Sequence, residues 1–68
     1  MNKLKHEQES WFNMGTVNRW FISHDDQFKE YHRIGRPAII YTYPTKTIFE
    51  YWWLFGRQYT ESDYWKKL

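Results

Sequence analysis

The sequence predicts a mainly β protein: a small antiparallel β-meander of hairpins with a short C-terminal α-helix, in a single domain over residues 1–68. Three observations predict it. Runs of β-branched and aromatic residues are separated by turn-forming breaks. A tryptophan four residues before a glycine occurs twice, at Trp11/Gly15 and Trp52/Gly56. Only the last stretch, "TESDYWKKL", carries helix signals at both ends.

Sixty-eight residues lie near the size at which one core barely offsets chain entropy. Cysteine is absent, so neither a disulfide framework nor a thiolate zinc site supplements the core. Aromatic residues take that place. Five Trp, six Tyr and five Phe make up 24% of the chain. Each ring can bury roughly 150–250 Å². At about 25 cal/mol per Å², a handful of them holds a fold this small. The remainder exceed what one small core hides, so several rings are expected at the surface.

In the first half, "SWFNMGTVNRWFIS" reads as a hairpin with strands near 9–13 and 16–22, turning at Asn13-Met14-Gly15. "SHDDQFKEYHRIG" supports two readings. Ser23, Asp25 and Asp26 can start a helix near 24–34 that Gly35 ends, which would make the fold α+β. Alternatively, His24-Asp25-Asp26 turns into a strand that alternates Phe28, Glu30 and His32 against Lys29, Tyr31 and Arg33. The repeated Trp-to-Gly spacing favours the strand.

The second half reads as another hairpin, "AIIYTY" (38–43) and "TIFEYWWL" (47–54), around Pro44-Thr45-Lys46. On its second strand, alternation sets Phe49, Tyr51, Trp53 and Phe55 against Ile48, Glu50, Trp52 and Leu54. Both sets are largely apolar, so this strand is expected to be central or to turn one face to a partner. Phe55-Gly56 ends it. In the closing helix Thr60 is the expected N-cap, with Glu61 and Asp63 at the positive end of the dipole and Lys66 and Lys67 at the negative end. Packing of Tyr64 or Trp65 on the sheet is needed to hold so short a helix.

"HRIGRPAIIY" (32–41), a threonine-lysine turn and "EYWWLFGRQYTESDYWKKL" (50–68) resemble the small aromatic β-hairpin repeats of bacteriophage proteins. Those repeats run approximately His-Arg-x-x-Gly-Pro-Ala, a β-rich run, Asp-Gly-Thr-Lys, Trp-x-x-Asn-Gly-Lys and a closing Tyr-Thr-Glu-Glu-x-x-Trp helix. Here Arg36 stands before Pro37, no glycine lies in the Pro44-Thr45-Lys46 turn, and Phe55 replaces the asparagine before Gly56. The resemblance implies a β-hairpin fold and a viral origin. It implies no catalytic residue.

The function classes narrow accordingly. Three histidines and eight carboxylates could in principle form a site, with His24-Asp25-Asp26 the densest cluster. Neighbours on a strand point to opposite faces, and in a turn they face water, so they do not converge on one proton or metal. No catalytic, metal or cofactor motif is present, and a non-enzymatic protein is expected. No apolar run approaches the roughly 20 residues that cross a bilayer, and the polar N-terminus carries no secretion signal, so a protein of the host bacterial cytoplasm is expected.

Two kinds of partner remain. Interface cores favour Trp, Tyr, Phe and Arg. Tyr51, Trp53, Phe55, Arg57 and Tyr59 therefore form the expected partner-binding surface, directed at a bacterial host protein, with defence components the foremost class. A second copy of the chain would cover the same rings. The alternative is single-stranded nucleic acid held by Lys29, Tyr31, Arg33 and Arg36, although the net charge is only +2.

Overall fold

The computed structural model describes residues 4–11, 13–24 and 28–68. They form one antiparallel sheet and one helix. The strands are β1 (Leu4–Trp11), β2 (Gly15–Ser23), β3 (Lys29–Tyr31), β4 (Ile39–Thr42), β5 (Ile48–Leu54) and β6 (Arg57–Tyr59), followed by α1 (Glu61–Lys67). The order across the sheet is β1-β2-β4-β5-β6. β3 occupies the same edge of β2 as β4, pairing Phe21, Ile22 and Ser23 with Tyr31, Glu30 and Lys29. β5 is an interior strand, paired over 48–51 with β4 and over 52–54 with β6.

Extents of 36 × 31 × 15 Å describe a slab. The pairing places all six strands in one sheet, with the helix on part of one side. Two faces follow from the pairing. One, the helix face, carries Trp52 and Leu54, against which α1 packs Tyr64. The other, the ring face, carries Val17, Phe21, Ile39, Tyr41, Phe49, Tyr51 and Trp53, joined by the β2–β4 and β4–β5 registers. Val17, Phe21 and Ile39 are buried there beneath longer neighbours.

α1 forms as its signals require. The Thr60 side-chain oxygen accepts from the Asp63 N–H at 3.2 Å, Glu61 and Asp63 occupy the first turn, and Lys66 and Lys67 the last. Seven residues are too few to hold a helix alone. Tyr64 supplies the tertiary anchor. It is fully buried, its hydroxyl donates to the Arg33 carbonyl at 2.6 Å, and it accepts from the Gly35 N–H at 2.7 Å. One side chain thus ties the helix to the 33–35 loop.

Three expectations need correction. The first strand, expected near 9–13, runs Leu4–Trp11, because pairing along almost the whole of β2 makes a strand of mostly polar residues that show no strand pattern of their own. Residues 24–34 hold no helix among those described: β3 lies there, and Asp25 and Asp26 fall outside the described residues. The open half-edge of β2 offered backbone partners, and this tertiary pairing overrode the local helix signals. Phe55, for its part, does not extend the β5 face. Phe55 (φ 48°) and Gly56 (φ 81°) form a two-residue turn with positive φ at both positions, as in a type I′ hairpin. The chain then reverses into β6, pairing Leu54 with Arg57 and Trp52 with Tyr59. Among the described residues, no helix is long and apolar enough to cross a membrane.

Candidate docking face

The ring face is built by register. Tyr41 stands opposite Phe49, and Ile39 opposite Tyr51. Edge-to-face contacts join Tyr41 to Tyr51 at 5.7 Å, Tyr43 to Phe49 at 5.6 Å and Tyr31 to Trp53 at 5.3 Å. Trp11 stacks on Tyr41 at 6.3 Å from the next hairpin. These geometries are favourable for aromatic quadrupoles. They leave Trp11, Tyr43 and Phe49 exposed, with Tyr41, Tyr51 and Trp53 half-buried. A depression of about 430 Å³ lies among Tyr41, Tyr43, Tyr51, Trp53 and Gln58. Trp53 Nε1–H is buried at this face and has no acceptor. A buried donor without a partner costs about 1–3 kcal/mol.

The β1–β2 half of the same face is different. Arg19 bonds Glu7 and Glu9, each at 3.1 Å, and Lys29 bonds Glu7 at 3.3 Å while its ammonium lies 4.7 Å from the Phe21 ring centre. The hydrogen bond from Lys29, helped by Arg19 and opposed by slight desolvation, holds the Glu7 carboxyl below the usual carboxylate range. These charges satisfy one another. The face therefore has an ionic half closed on itself and an aromatic half left open.

The sequence-predicted partner residues divide among three places. Tyr51 and Trp53 lie on the ring face, and Phe55 sits at the β5–β6 tip. Because the turn reverses the chain, Arg57 and Tyr59 lie on the helix face, where Tyr59 packs on the Trp52, Leu54 and Tyr64 cluster. The Arg57 guanidinium is 5.6 Å from the Tyr59 ring centre. Missing from the prediction were Trp11, Tyr41, Tyr43 and Phe49. Period-2 alternation in "AIIYTY" would have set both tyrosines beside Tyr51, but only a known register brings in Trp11.

The proposed nucleic-acid residues do not share one surface. Lys29 and Tyr31 are on the ring face, Lys29 already bonded to Glu7. Arg33 lies over Trp20, 3.6 Å from its ring centre, and donates to the Pro37 carbonyl at 3.3 Å. Burial, with repulsion from Arg36, lowers its pKa. Trp20 also stacks on His6 across the β1–β2 pair, opposite to the Tyr31 side. Arg36 is exposed in the 32–38 loop.

The histidines are occupied structurally. His32 is buried, its Nδ1 accepts from the Phe55 N–H at 3.0 Å, and its ring lies 4.1 Å from that of Phe55. Burial pushes its pKa down, against the pull of Glu30. His24 pairs with Glu30. Among the described residues, no group of three His, Cys, Asp or Glu side chains is placed to hold a metal ion. No known family, curated protein or solved structure matches the chain.

Proposed function

We propose that this chain is a phage-encoded, non-enzymatic protein that docks on a bacterial host protein, with defence components the foremost class, and blocks it sterically. The observation that carries the proposal is the open aromatic half of the ring face. Tyr43 and Phe49 are exposed, and no described element packs over them. Rigid rings lose little conformational entropy on docking, so a small surface rich in Tyr, Trp and Phe reaches useful affinity. The resemblance of residues 32–68 to phage hairpin repeats supports the viral part of the proposal.

Quantitative affinity capture from bacterial lysate tests it, comparing wild type with a Tyr43→Ser/Phe49→Ser double variant. Both side chains are exposed, so the variant retains its sheet. The expected result is a bacterial protein held by wild type and depleted at least about tenfold with the variant. Equal recovery of the same proteins by both would remove the ring face as the docking surface.

A further inference from the structure

The β5–β6 tip presents a second surface of different chemistry. Phe55 is 67% exposed, yet it occupies a left-handed backbone conformation at φ 48°. A bulky residue there is strained, and asparagine or aspartate before glycine is the unstrained choice for such a turn. The ring gains contact with His32, but most of it faces water. Around it, Ile34 is 61% and Leu68 53% exposed, and together with Leu54 and Tyr59 they line a groove of about 430 Å³. Arg57 and Lys67 line the same groove, which no acidic side chain lines. Neither cation is bonded to a carboxylate among the described residues. Glu30, which flanks Gly56, is held by His24, and Asp63 lines the adjoining pocket with Arg57 and Lys67 without bonding either.

We infer that this groove, formed by Ile34, Phe55 and Leu68 between Arg57 and Lys67, docks an acidic peptide segment of a partner protein that carries an aliphatic or aromatic anchor. Apolar walls between two cations that bond no carboxylate among the described residues match an apolar residue flanked by Asp or Glu, and they oppose a basic segment by like-charge repulsion. Phosphates of a nucleic acid would satisfy the cations as well. Of the two rings in the groove, Tyr59 is already packed on the Trp52, Leu54 and Tyr64 cluster beside Arg57, and the walls of Ile34, Leu54 and Leu68 are aliphatic, so a peptide anchor fits better than stacked bases. The groove is separate from the Tyr43/Phe49 surface, so either can fail alone.

The test is selection from a random linear peptide library on the intact protein, followed by affinity measurement of the enriched peptides. Enriched sequences should combine Asp or Glu with Leu, Ile, Phe or Trp. Their affinity should fall at least about tenfold with Phe55→Asn, and by a similar factor with Arg57→Glu/Lys67→Glu. It should also weaken as salt rises from about 50 to about 300 mM. Tyr43→Ser/Phe49→Ser should leave it within about twofold of wild type. Phe55→Asn is the variant that keeps the turn, so a thermal midpoint within a few degrees of wild type separates lost docking from lost folding. Basic or uncharged peptides, an empty selection, or affinities unchanged by Phe55→Asn overturn the inference. So does a dT oligonucleotide that binds tighter than any peptide and loses binding with the same variant.

Discussion

At the scale of single residues, the fold relies on polar groups used twice. Tyr64 packs its ring under Trp52 and spends both hydrogen-bonding capacities of its hydroxyl on the 33–35 loop. Tyr64→Phe keeps the ring and removes both part-buried hydrogen bonds to the 33–35 loop, so it should lower unfolding free energy by about 1–2 kcal/mol in a urea titration. His32 acts through its neutral form. Its pKa is lowered in the folded state by burial, and protonation of Nδ1 would remove the acceptor for the Phe55 N–H. The unfolded chain takes up this proton near its ordinary value of about 6.5, while the folded chain resists until a lower pH. The His32 contribution is therefore complete above that pH and declines as pH falls through it toward the folded pKa. Comparing urea midpoints at about pH 7.5 and about pH 5.5, wild type should lose more stability on acidification than His32→Asn. Equal losses in the two proteins would show that His32 is not the source.

At the scale of elements, the turns carry conformations their residues do not favour. Lys46 (φ 68°) and Phe55 (φ 48°) are left-handed, and Gly15 (φ 111°) closes the first hairpin against β4. A Cβ on Gly15 would collide with the Thr42 carbonyl oxygen. Gly15→Ala should therefore cost at least about 2 kcal/mol, whereas Lys46→Gly, in an exposed turn, should raise the melting temperature by about 2–4 °C. For Phe55→Asn, about 1 kcal/mol of relieved strain is offset by a comparable loss of contact with His32, leaving stability nearly unchanged. Elements with strong local patterns were legible in the sequence: the second hairpin, the Thr60 cap and the interior place of β5 follow from alternation and turn residues, whereas β1, expected near 9–13, runs Leu4–Trp11, because its mostly polar residues show no strand pattern. β3 was ambiguous because its strand form depends on an open edge of β2, a long-range partner invisible to local signals. β6 was missed because Phe55 before Gly56 lacks the Asn-Gly signature of a two-residue hairpin, so local signals end the strand there and group Arg57–Tyr59 with Tyr51 and Trp53 without a returning strand. That single turn moved Arg57 and Tyr59 to the other face.

At the scale of the whole molecule, a sheet in a 15 Å slab cannot enclose sixteen rings. The helix covers Trp52 and Leu54, ion pairs close the β1–β2 half of the opposite face, and the β4–β5 half stays open. Docking through that open half requires the rings to be accessible on the free protomer. Hydroxyl-radical footprinting with mass spectrometry measures this directly, at concentrations low enough to prevent self-association and again at high concentration. The account predicts rapid oxidation of Tyr43 and Phe49, with Trp52 and Tyr64 strongly protected, and the same pattern at both concentrations. Protection of Tyr43 and Phe49 equal to that of Trp52 and Tyr64 would contradict it.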